Sequence, residues 1–114
     1  MRYVRYVFDL DGTICDKGEF DDYDKSYPHL ERIRKINKLY DEGNYIIFHT
    51  ARGMGRYKNN ANLAIQEFYS LTKDQLEKWG VKYHELILGK PSGDIYVDDK
   101  GMKDGKFFAN ELCS

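Results

Sequence analysis

Residues 2–13 read RYVRYVFDLDGT, and this stretch decides the fold. Residues 2–8 are rich in β-branched and aromatic side chains, which predicts a short strand. The strand ends at Asp9, and the sequence Asp-Leu-Asp-Gly that begins there predicts a sharp turn at Gly12. Because side chains alternate along an extended chain, Asp9 and Asp11 can point into one crevice. Successive N–H groups in such a turn could cradle an anion.

The rest of the chain alternates between helical and extended patterns. After Pro28, apolar residues recur every three or four positions, which predicts a helix that ends near Gly43. A second helix is predicted from Thr72, where Thr-Lys-Asp-Gln fits a capping box, to Trp79. Residues 51–71 carry signals for both a loop and a helix. Further strands are predicted at residues 45–50, 83–88 and 95–97, with an edge strand at 107–109.

Strands that alternate with helices predict an α/β fold, in which helices cover both faces of a parallel sheet. In such sheets, ligands bind beyond the carboxyl ends of the strands. The predicted ends carry Asp9, Thr50, Lys90 and the pair Asp98 and Asp99. Carboxylates, a hydroxyl group and an ammonium group together describe a phosphoryl-transfer site that contains a divalent metal.

Length and composition limit the function classes. The 114 residues predict a single domain, residues 1–114. The formal charge of −1 argues against a protein that coats nucleic acid. The longest apolar run, residues 45–48, is much shorter than the roughly 20 residues of a membrane-spanning helix. Carboxylates begin at Asp9, before a signal-peptide core could form. With two cysteines, Cys15 and Cys113, in neither a disulfide framework nor a zinc spacing, the sequence predicts a cytoplasmic protein with reduced thiols.

The sequence FDLDGT at residues 8–13 resembles the first signature of the haloacid dehalogenase superfamily, in its phosphatase form. Thr50 in IIFHT looks like the second signature, Lys90 like the third and Asp98-Asp99 like the fourth, in the family's order. The resemblance covers residues 3–99. It implies a Rossmann-like three-layer sandwich with a parallel central sheet. The segments after the first and second signatures are too short for a cap domain, so the expected protein is a capless phosphatase.

The resemblance also implies catalytic roles. Asp9 would be the nucleophile, which forms an aspartyl phosphate and divides ester hydrolysis into two easier displacements. Asp11 would protonate the departing alkoxide and then deprotonate the attacking water. Thr50 would hydrogen-bond a phosphoryl oxygen, and Lys90 would neutralise charge there and on Asp9.

The cofactor implied by the resemblance is Mg²⁺, which suits hard oxygen ligands and phosphate. Its ligands would be Asp9, the backbone carbonyl group of Asp11, and Asp98. Asp94 also fits a common spacing for the fourth signature, but it precedes its predicted strand, so Asp98 is the expected ligand. Asp99 is expected to have a supporting role near Lys90.

Residues 50–60, TARGMGRYKNN, resemble a narrower group of small bacterial phosphatases linked to capsule polysaccharide biosynthesis. This resemblance implies a small phosphorylated substrate, such as a sugar phosphate. The predicted substrate-binding residues are Leu10, Thr50, Ala51, Arg52, Tyr57, Asn60 and Lys90. Gly12 and Thr13 are expected to support the turn that faces the phosphate. Loop 51–71 is expected to become ordered over the substrate.

Other functions fit the same residues. A nucleic-acid end phosphatase would use the same chemistry. A local basic patch at Arg52, Arg56 and Lys58 could bind nucleic acid, although the overall charge disfavours this function. A phospho-accepting receiver also gathers Asp, Thr and Lys at a sheet edge, but in a different order along the chain. A relative that only binds phosphate is a further non-catalytic reading. The sequence leaves the oligomeric state open, and it predicts neither a nucleic-acid nor a membrane partner.

Overall fold

The computed structural model of the protein describes residues 3–16 and 22–109. In chain order its elements are β1 (Arg5–Phe8), α1 (Leu30–Asp41), β2 (Tyr45–Thr50), α2 (Ala61–Lys78), β3 (Glu85–Leu88) and α3 (Asp104–Phe108). A 3₁₀ turn at Tyr23–Lys25 precedes α1. Cys113 and the predicted start of the first strand at residue 2 lie outside the described residues.

The three strands form a parallel sheet in the order β1-β2-β3. Phe8 of β1 pairs with Phe48 of β2, and Thr50 at the end of β2 pairs with Leu88 of β3. Parallel strands bring their carboxyl ends to one edge, so the residues that follow β1 and β3 lie on either side of the end of β2. The protein is therefore a small α/β fold, compatible with the predicted Rossmann-like class.

One face of the sheet forms the hydrophobic core. Phe8, Ile46 and Phe48, at alternating strand positions, join one buried cluster. The helices contribute Ile33, Ile36, Leu39, Leu76 and Phe108 to the same cluster. On the opposite face, Val7 is 60% exposed and Ile87 is 42% exposed. The helices of the described residues thus contribute to a core on one face of the sheet, and the predicted three-layer sandwich stays a prediction.

The first predicted helix is confirmed in α1. Its apolar positions Ile33, Ile36 and Leu39 are buried, as the three-and-four spacing predicts. The chain then turns at Gly43, where φ is +97°. This left-handed conformation is unfavourable for residues with a Cβ atom, so a glycine after the last helical turn ends the helix with little strain.

The predicted start of the second helix at Thr72 is wrong. α2 begins at Ala61, and the side chain of Asn60 caps it by accepting a hydrogen bond from the N–H of Leu63 at 3.3 Å. Its buried stripe has a spacing of four and consists of Ala64, Phe68, Thr72 and Leu76. One small residue and one polar residue in that stripe weaken its apolar pattern in the sequence. Among the described residues, no helix has the length and hydropathy of a membrane span.

The chain between β3 and α3 departs most from the prediction. Residues 91–103 are exposed and form neither helix nor strand. The strand predicted at 95–97 is absent there, with Ile95 81% exposed and Val97 90% exposed. The edge strand predicted at 107–109 is replaced by α3. Adjacent rings of Phe107 and Phe108 both contact Phe8, and adjacent side chains on a strand would point to opposite faces.

Candidate active site

Three of the predicted catalytic residues meet at the carboxyl edge of the sheet. The N–H of Lys90 donates to the carbonyl oxygen of Thr50 at 3.1 Å, which fixes the chain after β3 beside the end of β2. Nζ of Lys90 lies 3.9 Å from Oδ1 of Asp9, which directly follows β1. The Asp9 side chain is 39% exposed, whereas Thr50 is only 1% exposed. An accessible carboxylate therefore lies beside an ammonium group, next to a buried hydroxyl group.

The turn after β1 is held by its own backbone. The N–H groups of Thr13 and Ile14 both donate to the carbonyl oxygen of Leu10 at 2.9 Å, and the N–H of Gly12 donates to Cys15 O at 2.7 Å. Gly12 has φ of +84°, which glycine tolerates. These three N–H groups bond within the turn, so they are not available to the anion cradle predicted here. The side chain of Leu10 is buried in the core, so any substrate contact of this residue comes from its main chain.

Asp11 faces Arg52 in a two-pronged ion pair. Nε of Arg52 donates to Oδ2 of Asp11, and Nη2 donates to Oδ1, both at 2.9 Å. The Arg52 side chain is 1% exposed and that of Asp11 is 18% exposed. Arg52 therefore faces Asp11 inside the protein, and its predicted contact with the substrate stays a prediction. The planar guanidinium group matches the two oxygens of a carboxylate, and Asp11 supplies that partner inside the protein.

The remaining surface of the guanidinium group is also enclosed. Nη1 of Arg52 donates to Oγ1 of Thr72 at 3.2 Å and to Oε1 of Gln75 at 2.6 Å. The ring of Tyr23 lies over the guanidinium carbon at 4.8 Å. The sequence reasoning missed Thr72 and Gln75 because it placed them at a helix start. Their spacing of three becomes informative only once both are known to lie inside α2.

Cys15 completes the surroundings of Asp11. Its thiol donates to Oδ1 of Asp11 at 3.4 Å, and Nη2 of Arg52 lies 3.7 Å from the sulfur. The pKa of Cys15 is raised to about 12, first by burial and second by the negative charge of Asp11. The group is therefore a neutral thiol near pH 7, which contributes a weak hydrogen bond rather than a nucleophile.

Lys90 has an aromatic neighbour as well as Asp9. Its Nζ lies 4.4 Å from the centroid of the Tyr96 ring, a cation–π contact that the sequence reasoning did not anticipate. His49 is half-buried near the same group. Burial first, and then the positive charge of Lys90, lowers the pKa of His49 below its usual range. The His49 side chain is therefore neutral near pH 7, and Lys90 is the cation beside Asp9.

Two residues predicted to grip the substrate have partners within the chain. The hydroxyl group of Tyr57 donates to Glu67, which raises the pKa of Tyr57. Asn60 caps α2, as described above. Ala51 is half-buried directly after Thr50. The structure gives Tyr57 and Asn60 structural roles, and their contact with a substrate stays a prediction.

The predicted fourth signature lies in the exposed segment 91–103. Oδ1 of Asp98 accepts a hydrogen bond from the N–H of Lys100 at 2.6 Å and another from the N–H of Gly101. These two backbone donors lower the pKa of Asp98. Asp99 is also exposed. The pair thus belongs to a local turn, because the segment that carries it does not join the sheet.

The predicted Mg²⁺ ligands lie in two different parts of the chain. Asp9 and the carbonyl group of Asp11 lie in one turn and offer the hard oxygen donors that Mg²⁺ prefers. Within residues 3–16 and 22–109, however, no three His, Cys, Asp or Glu residues are grouped to hold a metal ion. Asp98 lies in the exposed segment 91–103, and its place in the metal site stays a prediction.

Comparison with known proteins places the fold among solved structures. No protein-family model matches the chain. No curated protein matches it either. A crystal structure of an MCSG target from Vibrio cholerae is 28% identical, with a TM-score of 0.86, over 96% of this chain and 90% of that one. A structure of the Pnkp1/Rnl/Hen1 complex contains a chain that is 18% identical, with a TM-score of 0.56, over 97% of this chain and 36% of that one. The first similarity extends over nearly the whole length of both chains, and the second is a likeness of fold alone.

Proposed function

We propose that the protein is a capless phosphatase of the haloacid dehalogenase type, which hydrolyses phosphomonoesters through an aspartyl phosphate on Asp9. One observation carries the proposal. Asp9, Thr50 and Lys90 come from the ends of three neighbouring parallel strands, and the Asp9 carboxylate is exposed 3.9 Å from the Lys90 ammonium group. A nucleophilic carboxylate beside a cation at the ligand-binding edge of an α/β sheet suits the attack on a phosphate.

The first chemical step is an in-line displacement. An oxygen of Asp9 forms a bond to phosphorus while the bond from phosphorus to the leaving oxygen breaks, and Asp11 gives a proton to that oxygen. In the second step, water attacks the phosphorus, Asp11 takes the proton of that water, and the bond from Asp9 to phosphorus breaks. Lys90 offsets the negative charge that gathers on the phosphoryl oxygens.

One of the two hydrogen bonds between Arg52 and Asp11 is expected to weaken or open during this cycle. Both oxygens of Asp11 accept hydrogen bonds from Arg52 in the structure. An oxygen that carries the proton to be transferred has one lone pair fewer for Arg52, so we expect one of the two bonds to weaken or open when Asp11 acts as an acid. The other bond keeps the carboxyl group in place.

Mg²⁺ is part of the proposal as the cofactor. Asp9 and the carbonyl group of Asp11 would hold it, joined by Asp98 if the exposed segment 91–103 moves to the same edge. When bound, the ion would screen the anionic nucleophile from the anionic substrate. Removal of the ion by EDTA is expected to abolish turnover, and added Mg²⁺ is expected to restore it.

The proposed substrate is a small phosphorylated metabolite such as a sugar phosphate, in capsule or surface polysaccharide biosynthesis in the cytoplasm. Three features support a compact substrate over a nucleic acid. The net charge is −1. Arg52 is buried, and Arg56 is paired with Glu67 at 2.8 Å, which removes two cations from the local basic patch.

The decisive assay is a panel of phosphomonoesters with Mg²⁺, including sugar phosphates and an oligonucleotide with a terminal phosphate. Wild type and Asp9→Asn are compared with Asp41→Asn, a matched change at an exposed position that pairs with Lys82 at 2.8 Å. Wild type and Asp41→Asn should release phosphate, and Asp9→Asn should not. Equal turnover by Asp9→Asn would refute the role of Asp9, and preference for the oligonucleotide would refute the proposed substrate class.

A further inference from the structure

Residues on α2 fix the guanidinium group that faces Asp11. We infer that Thr72 and Gln75 are positioning residues, which act through Arg52 to orient the Asp11 carboxyl group for proton transfer. The chemical part of this inference rests on the proposed function. The positioning itself rests on the contacts that follow.

A guanidinium group has five N–H donors in one rigid plane, and each one in Arg52 meets an acceptor. Two donate to Asp11 at 2.9 Å. Those on Nη1 meet Thr72 at 3.2 Å and Gln75 at 2.6 Å, and the second donor on Nη2 meets Cys15 at 3.7 Å. Because the Arg52 side chain is 1% exposed, water cannot replace a lost acceptor. The acceptors on α2 therefore help to set the plane in which the guanidinium group meets Asp11.

Gln75 also connects Arg52 to the segment that covers it. Its Nε2 donates to the carbonyl oxygen of Tyr23, whose ring lies 4.8 Å from the guanidinium carbon. The hydroxyl group of Tyr23 in turn accepts a hydrogen bond from the N–H of Gly53 at 3.1 Å. Gln75 thus bonds both to Nη1 of Arg52 and to Tyr23, the residue whose ring covers the guanidinium group.

Loss of either acceptor should affect the chemical step more than substrate binding. An unpaired N–H in a buried site is unfavourable, so the guanidinium group would turn toward another acceptor and carry Asp11 with it. Proton transfer to the leaving oxygen depends on its position in the transition state, and small misplacements there reduce kcat strongly. The KM depends on groups that hold the phosphate, which Thr72 and Gln75 do not orient under this inference.

Two pairs of variants separate positioning from a general loss of structure. Gln75→Met removes the acceptor at similar side-chain length, and Gln66→Met makes the same change at an exposed position of α2. Thr72→Val removes the hydroxyl group at nearly constant volume, and Thr72→Ser keeps it. Each variant is assayed for kcat and KM with the best phosphomonoester of the panel. The Nε–H signal of Arg52 is followed by NMR, which requires no turnover.

We expect Gln75→Met and Thr72→Val to lower kcat about tenfold at nearly constant KM. The Arg52 Nε–H signal should shift and exchange faster with water in these two variants, while Gln66→Met and Thr72→Ser behave like wild type. An unchanged Arg52 signal in Gln75→Met, or equal losses of kcat in Gln66→Met, would overturn the inference. If wild type hydrolyses no phosphomonoester but the signal responds as expected, the proposed function fails and the positioning of Arg52 by α2 is supported.

Discussion

Replacement of Arg52 by Met tests how strongly the buried ion pair stabilises the candidate site. The variant keeps a long unbranched side chain but lacks the guanidinium group. Asp11 loses both hydrogen bonds from Arg52, each at 2.9 Å, and the oxygens of Thr72 and Gln75 lose the donors of Nη1. The Tyr23 ring still meets an apolar side chain, so the change removes mainly polar contacts.

The expected magnitude follows from the burial of the pair. Removal of one partner from a buried ion pair costs about 3–5 kcal/mol. Because the Asp11 side chain is 18% exposed, water reaches part of the carboxylate and the lower end applies. A loss of about 3 kcal/mol in a domain of this size lowers the Tm by roughly 10–15 °C. The free energy of unfolding can be measured by urea titration with the fluorescence of Trp79, which packs against the core.

A matched variant distinguishes burial from ion pairing in general. Arg56 also donates two hydrogen bonds to one carboxylate, that of Glu67, but the two side chains are 41% and 35% exposed. Arg56→Met should cost about 1 kcal/mol or less, as exposed pairs usually do. Equal costs at Arg52 and Arg56 would refute the argument that burial makes the Asp11 pair the stronger one.

Other contacts give smaller and separable effects. Asn60→Ala removes the acceptor for the N–H of Leu63 and should cost about 1 kcal/mol in urea titrations, whereas Asn60→Asp should cost much less. The hydrogen bond from Arg32 lowers the pKa of Asp104. The ionised Asp104 carboxylate therefore contributes its full stabilisation of the folded protein above the usual carboxyl pKa of about 4, and this contribution is lost as the pH falls below that value. Asp104→Asn should therefore destabilise the protein at pH 7 more than at pH 3, and equal losses at both would contradict the pair. With its pKa raised to about 12, Cys15 should be alkylated at pH 8 about a thousandfold more slowly than an ordinary thiol, as followed by peptide mass spectrometry. Rapid alkylation of the folded protein would contradict its burial.

The carboxyl edge could be predicted because the end of a strand is a local feature of the sequence. An extended run of aromatic and β-branched residues stops at Asp9, and a short apolar run stops at Thr50. Once the strands are parallel neighbours, their ends must lie side by side, which also brings Lys90 to the edge. The α/β class followed from the same alternation of elements.

The surroundings of Asp11 could not be predicted because they depend on contacts between distant segments. Arg52 follows Thr50 closely in the sequence, so it was expected at the substrate. Its direction is set by Asp11 and by Thr72 and Gln75, which are 20 to 41 positions away along the chain.

Residues 95–97 show that a local pattern can also predict a strand that the structure lacks. Their side chains favour a strand, but a strand also needs a partner edge, and in the structure Ile95 and Val97 stay exposed. A local pattern predicts the preference for extended structure and not the pairing. The predicted placement of Asp98 at the sheet edge depended on that pairing.

The most direct test of the central claim is to identify the carboxylate that is phosphorylated during turnover. Borohydride reduces an acyl phosphate on an aspartate to homoserine, which peptide mass spectrometry locates in the sequence. With a phosphomonoester and Mg²⁺, the account predicts homoserine at residue 9 in wild type and none in Asp9→Asn. Hydrolysis of the substrate with homoserine at another aspartate, or with none at all, would contradict it.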